Sequence, residues 1–199
     1  MLSSHTDLRI VRTKGAIWDA LTELIEEKGF EFISVKDITT RAKINRGTFY
    51  LHYRDKYDLM EKCRNEILHE IKKIVQQNIP CDLKSITIPF PGTVYVFEYI
   101  NEFGGFINAL LGPKGDLSFQ TELKSLVWDL LFENNLNQLI KREDLLVPDE
   151  CLVSYMASAN LGVIQQWLQD GRKRSPMEMA RILSTLSFNG PLYAAGLKK

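Results

Sequence analysis

The run Arg46-Gly47-Thr48-Phe49-Tyr50-Leu51-His52-Tyr53 gathers a cation, a residue without a side chain, a hydroxyl and a phenol within five positions. On a helix, that grouping suits contact with a nucleic-acid duplex. Arg46 can reach a guanine edge or a phosphate, and Thr48 and Tyr50 can donate hydrogen bonds from the outer face. Gly47 lets the backbone at the helix start come close to the duplex. His52 and Lys56 lie where a second row of phosphates could be contacted. Ser34 and Asn45 mark helix N-termini, whose partial positive charge favours phosphate. A cationic short helix pair is also what a solvated face looks like, and Tyr50 could be partly buried. It is the combination of small helix start, aromatics, caps and following Lys56 that points to DNA binding or descent from it.

Such residues need elements that hold them. Ile17, Ala20, Leu21, Leu24 and Ile25 recur at helical spacing, which predicts an amphipathic helix ending near Lys28-Gly29. Ser34 with Asp37 three residues on opens a short helix through a capping-box-like start, with Val35, Ile38 and Ala42 as its buried edge. Asn45 caps another short helix, and Phe49 and Tyr53 share its inner face. Asp55 caps a longer one carrying Leu59, Cys63, Ile67, Ile71 and Ile74. Two short helices joined by a tight turn beneath a first long helix outline a helix-turn-helix unit.

Pro80, Pro89, Pro91 and Gly92 then interrupt the helical pattern and suggest a boundary. Further helices are expected over Thr93–Leu111, from just after Asp116, over 149–171, and over 176–189 with Ser175 as cap and Pro176 in the first turn. No stretch has convincing strand alternation. The expected fold is all-α. An N-terminal three-helix helix-turn-helix domain (1–60) continues through a long connecting helix, to about residue 78, into a C-terminal helical bundle (79–199).

The 199 residues carry 25 basic and 25 acidic side chains, a net charge of zero, which alone argues against a protein that coats nucleic acid or acidic membrane non-specifically. The total hides a local excess. Between 34 and 56, Lys36, Arg41, Lys43, Arg46, Arg54 and Lys56 face only Asp37 and Asp55. Three scattered cysteines give no disulfide framework and no zinc pattern. His5, His52 and His69 lack metal-ligand spacing, and neither a nucleotide loop nor a catalytic triad is present. No cofactor, metal or enzyme activity is expected. With no membrane-spanning run and no apolar signal core, a cytoplasmic location is expected.

The stretch from Ile38 to Leu59, with Arg46-Gly47-Thr48-Phe49-Tyr50 followed by Lys56-Tyr57-Asp58-Leu59, resembles the DNA-binding segment of the TetR family of bacterial transcriptional regulators. The resemblance covers roughly residues 9–60. It implies an all-α homodimer with an N-terminal DNA-binding domain and a C-terminal domain for dimerisation and often ligand sensing. By matching position, Arg46, Gly47, Thr48 and Tyr50 would face the major groove. Ser34, Lys36, Asn45, His52 and Lys56 would hold phosphates, and Tyr53 would be core. One departure stands out, because the family's turn usually carries glycine where this chain has Lys43. At positive φ a lysine costs about 1 kcal/mol.

The segments Phe106–Gly115 and Gly162–Leu168 resemble the C-terminal region of one branch of the family. Some members of that branch bind operators and others work through protein partners. The implied partners are therefore double-stranded operator DNA, a second copy of the chain and an unidentified small-molecule effector. The alternative is a co-regulator acting through protein contacts without operator binding.

Two features of the second half bear on this. Phe97, Phe103, Phe106, Trp128 and Phe132 could line a ligand pocket, with Asn101, Asn108, Asn160 or Gln165 as orienting groups, or could simply be core. Residues 153–168 are apolar on nearly two stripes, as in a helix buried on two sides. Leu161, Ile164 and Leu168, with Ile182, Leu183 and Leu186, are the expected two-fold four-helix interface, unless they serve only the core of one chain.

Overall fold

The computed structural model describes residues 3–79, 87–112, 118–133 and 140–197. Among these the regular elements are all helical: α1 (Ser3–Lys28), α2 (Val35–Arg41), α3 (Arg46–Tyr50), α4 (Lys56–Gln77), α5 (Pro91–Glu102), α6 (Gly104–Leu111), α7 (Ser118–Trp128), α8 (Asp149–Gln169), α9 (Pro176–Asn189) and α10 (Pro191–Ala194). Short 3-10 turns cover Phe30–Phe32 and Arg142–Asp144, and one π-helical turn, Asp129–Glu133, prolongs α7. Pro80 and Asp116, two of the expected boundary markers, lie outside the described residues.

The helices form two units, residues 1–66 with 105–117 and residues 67–104 with 118–199. In the first, the α1 stripe closes on α2, α3 and the start of α4. Ile17, Leu21, Ile38, Phe49, Leu59 and Cys63 have no measurable exposure. Truncation of a buried side chain of this kind costs about 2–5 kcal/mol, so this apolar contact carries the unit's stability. Arg41 adds a fork from α2 to α1, donating to Glu23 at 2.7 Å and to both carboxylate oxygens of Glu27 at 2.8 Å. These groups are partly exposed, and such pairs are worth only about 0.2–1 kcal/mol each.

The helix starts follow the sequence closely. The Ser34 hydroxyl accepts from the Asp37 amide at 3.2 Å, and the Asp37 carboxylate accepts from the Ser34 amide at 2.8 Å. Asp therefore completes the box in place of the usual Glu. Asn45 Oδ1 accepts from the Gly47 amide at 2.8 Å, and Asp55 Oδ1 accepts from the amides of Tyr57 and Asp58 at 2.9 and 2.8 Å. Lys43, in the turn between α2 and α3, has φ 55°.

The expected continuous helix Thr93–Leu111 is instead two. Phe103 leaves helical geometry (φ −99°, ψ 18°), and the Gly104-Gly105 pair that follows is a poor helix interior. From Gly105 onward α6 packs in the first unit. Phe106 lies against Trp18 with ring centroids 5.1 Å apart.

In the second unit α5 packs along α9, and α7 along α8. Phe97 meets Trp167 edge to face at 5.2 Å, both buried. Ser175 and Glu178 form a full capping box at the start of α9. Arg172, in the α8–α9 turn at φ 57°, donates through Nη1 to the carbonyl oxygen of Asn101 at 2.6 Å and so closes the C-terminus of α5. A side chain at Gly104 would meet that guanidinium at 2.6 Å.

Candidate nucleic-acid interface

Helix α3 is little more than one turn, and a helix so short is not stable alone. It is held from beneath by Phe49, which is fully buried and touches Tyr50 and Tyr53 at ring distances of 5.6 and 5.5 Å. Burial pushes the Tyr53 phenol up to about 12, which keeps it neutral under the core. Around this anchor the remaining positions turn outward. Arg46, Gly47 and Tyr50 are exposed, while Thr48 and His52 are half-buried. Asn45, Lys43, Lys36 and Ser34 are also exposed.

Arg46 and Tyr50, one turn apart, are paired. The guanidinium Nη2 donates to the Tyr50 hydroxyl at 3.2 Å, and its carbon lies 5.9 Å from the ring centroid. Nothing lies tight against Gly47, where an added Cβ would meet only Asn45 Oδ1 at 3.5 Å. The first turn of α3 therefore presents a nearly bare backbone.

The cations are not equally available. Arg41 is committed to Glu27 and Glu23, which hold it charged beyond its ordinary range, and its guanidinium draws the Glu27 carboxyl below the usual range. Arg54 and Lys62 both engage Asp58, at 3.3 and 2.9 Å. Asp58 is almost buried; the backbone amide of Arg54 (2.9 Å) and then Lys62 hold its carboxyl below the usual range. Lys28 pairs with Asp37 at 2.9 Å, so the acid beside Ser34 is compensated and strongly depressed. Lys36, Lys43 and Arg46 form no ion pair among the described residues.

Lys56 occupies an intermediate position. Its ammonium donates to the carbonyl oxygens of Phe30 at 3.1 Å and Glu31 at 2.8 Å, and sits 5.0 Å from the ring centroids of both Phe30 and Tyr57. An ammonium has three donors, so two are used within the chain. Sequence reasoning passed over two neighbours of this surface, Leu51 (81% exposed) and Phe32 (78% exposed). The signal for Leu51 was its place beside Tyr50, outside the Phe49–Tyr53 inner row.

The aromatic residues expected to line a pocket are divided between the two units. Phe97 is sealed in the second unit's core, Phe106 belongs to the first unit, and Trp128 and Phe132 stack on each other at 5.1 Å beneath Arg142. Phe103 packs beside Tyr99 at 4.9 Å. Trp128 lines a separate, open surface pocket with Lys124, Asp129 and Glu150. A cavity of about 290 Å³ does exist in the second unit, but none of these five residues lines it. Its walls are mostly aliphatic, and Asn160 is one of three residues with polar side chains on them.

The expected interface residues also divide. Leu168 and Leu183 are buried within the single chain, and Ile164 and Leu183 line the cavity. Leu161 and Leu186 are half-buried and Ile182 is 37% exposed. Ile164 and Leu168 of α8 thus serve the protomer's own core. No group of His, Cys, Asp and Glu among the described residues could hold a metal, and no helix among them is long and apolar enough to cross a membrane.

Comparison with known proteins agrees with this geometry. Residues 17–63 match the family model described as bacterial regulatory proteins, tetR family, and residues 88–189 match that of a transcriptional regulator C-terminal region. An uncharacterised helix-turn-helix transcriptional regulator of Bacillus subtilis, YxbF, is 39% identical over 56 residues, which are 28% of this chain and 15% of that protein. Among solved structures, a TetR-family regulator from Syntrophomonas wolfei superposes with a TM-score of 0.66 at 16% identity, over 94% of this chain and 96% of that one. A TetR regulator from Streptococcus agalactiae gives 0.58 at 23% identity, over 91% and 96%. The regulator FadR of Bacillus subtilis, solved with stearoyl-CoA, gives 0.57 at 18% identity, over 88% and 97%. The all-helical fold is common to them. On the two matched regions, which include the whole surface built around α3, the chain belongs to the TetR family of bacterial transcriptional regulators.

Proposed function

We propose that the protein is a repressor that binds operator DNA as a homodimer and is released by a small-molecule effector. The observation that carries this reading is the single turn of α3, anchored by buried Phe49 while Arg46, Gly47 and Tyr50 face outward. Arg46, Thr48 and Tyr50 read base edges in the major groove. Lys36, Asn45, Ser34, His52 and the third donor of Lys56 hold phosphates.

The dimer forms through the outer face of α8 and α9, with Ile182, Leu161 and Leu186 among its apolar contacts. Two copies of α3 then enter successive major grooves about 34–36 Å apart. An effector that prefers a conformation with a different spacing lowers operator affinity by its differential affinity for the two states.

The test is binding of the full-length protein to DNA fragments selected from the genome that encodes it, across a range of salt. Affinity should fall steeply, with a log–log slope of about −0.9 per phosphate contacted. Absence of binding to any fragment at low salt would reject the operator reading and favour the co-regulator.

A further inference from the structure

The cavity of the second unit is bounded by α4, α5, α7 with its π-turn, α8 and α9, and its composition is one-sided. Ile71, Ile100, Leu126, Leu130 and Ile164 typify the wall, and among the described residues no Lys, Arg, His, Asp or Glu contributes to it. At about 290 Å³ it is near the lower end of small-molecule sites, which run from about 300 to 1,000 Å³.

Among the described residues, three with polar side chains reach it: Thr93 from α5, Asn160 from α8 and Ser187 from α9. Asn160 is half-buried, and its amide makes no hydrogen bond among the described residues. A ligand whose apolar body displaces water from the Asn160 amide offsets that lost hydration when it supplies one hydroxyl or carbonyl. A carboxylate or phosphate would meet no compensating cation among the described lining residues, and an uncompensated buried charge is strongly disfavoured. The two aromatic residues of the wall, Phe90 and Phe188, are already engaged with each other edge to face at 5.9 Å. The other apolar walls are branched aliphatics and Met156, surfaces that match a flexible chain better than a flat ring.

We propose that this cavity binds an uncharged aliphatic molecule of medium length bearing a single hydrogen-bonding group, which Asn160 engages. Its role as the effector rests on the operator-binding reading; its occupancy does not.

The experiment titrates the full-length protein, without DNA, with 1-decanol and with decanoate at pH 7.5 by calorimetry. The expected result is one decanol bound per protomer, at least about tenfold more tightly than decanoate. Val96→Phe, which fills the cavity from α5, should weaken decanol binding by about tenfold or more, with circular dichroism unchanged. Val75→Phe repeats that test from α4 if the first variant does not fold. Asn160→Leu should weaken decanol binding by about fivefold. Equal binding of decanoate, no binding of decanol, or indifference to the filling substitutions overturns the proposal. An unchanged decanol affinity in Asn160→Leu overturns the role of the amide. A second arm adds decanol to the protein–DNA complex. Decanol that binds the free protein without shifting operator affinity overturns the effector role and leaves occupancy standing. Failure of the protein to bind DNA at all is read in the salt experiment and does not enter the first arm.

Discussion

The Arg46 guanidinium rests against the Tyr50 phenol, 3.2 Å from its hydroxyl and one helical turn away. The long arginine is thereby held along the outer face of α3 before any DNA arrives, which lowers the entropy lost on binding. Arg46→Ala should cost about 1–3 kcal/mol of operator affinity and relax preference at one base position, with helix content unchanged. Tyr50→Phe keeps the ring and removes the acceptor, so a smaller loss in the same direction is expected. Competition binding with single-base operator variants measures both.

Lys56 should behave differently. On the proposed phosphate role, Lys56→Ala should weaken binding to all sequences alike and reduce the salt slope by about one unit. The substitution also strips a donor from the Phe30 and Glu31 carbonyls, so a lower melting temperature is expected, as it is not for Arg46→Ala. A loss of sequence preference at Lys56 would contradict a phosphate role.

Lys43 and Arg172 share a left-handed backbone, at φ 55° and 57°, but not a reason for it. The Lys43 side chain is exposed and makes no ion pair among the described residues, so Lys43→Gly should stabilise the chain by up to about 1 kcal/mol. Arg172 closes the end of α5 through the Asn101 carbonyl, so Arg172→Gly should destabilise despite the relief of strain. Urea denaturation of the two variants should move in opposite directions.

The acid limb of stability follows from Asp58 and Asp37. Both carboxyls are held below their ordinary value, Asp58 by the Arg54 amide and Lys62 and Asp37 by Lys28 and Ser34. A depressed folded-state pKa contributes stability that is fully present above the unfolded value, about 3.9, and is lost as pH falls through the folded value. Asp58→Asn should therefore be less stable than the parent at pH 7, and the gap should narrow below about pH 4. Denaturation midpoints at pH 7 and pH 3 decide it.

Ile182→Asp tests the dimer. The side chain is exposed in the protomer, so the fold should persist while the mass in solution falls from dimer to monomer. An unchanged mass would move the interface elsewhere on the chain.

Much of this was legible before the fold was seen, because it is local. The capping pair Ser34–Asp37, the Asn45 and Ser175 caps and the helical stripe from Ile17 to Ile25 are all decided within a few residues. What escaped was decided at a distance. That Phe106 would lie against Trp18 is invisible in either local pattern. Residues 153–168 announce two apolar stripes, but not which one the protomer keeps; Leu168 turned inward. The cavity was least legible, since an empty space is defined by which aliphatic side chains fall short of one another across five elements. The aromatics that sequence reasoning favoured are large enough to close such gaps.

The division of labour within α3 has a consequence for how such a protein diversifies. Phe49 alone ties the helix to its scaffold, while the side chains of Arg46 and Tyr50 touch little beyond each other and that anchor. Substitution at the outward positions is thus nearly free of folding penalty. A lineage can exchange one target site for another by drifting at two or three codons, without first acquiring compensating changes in the core.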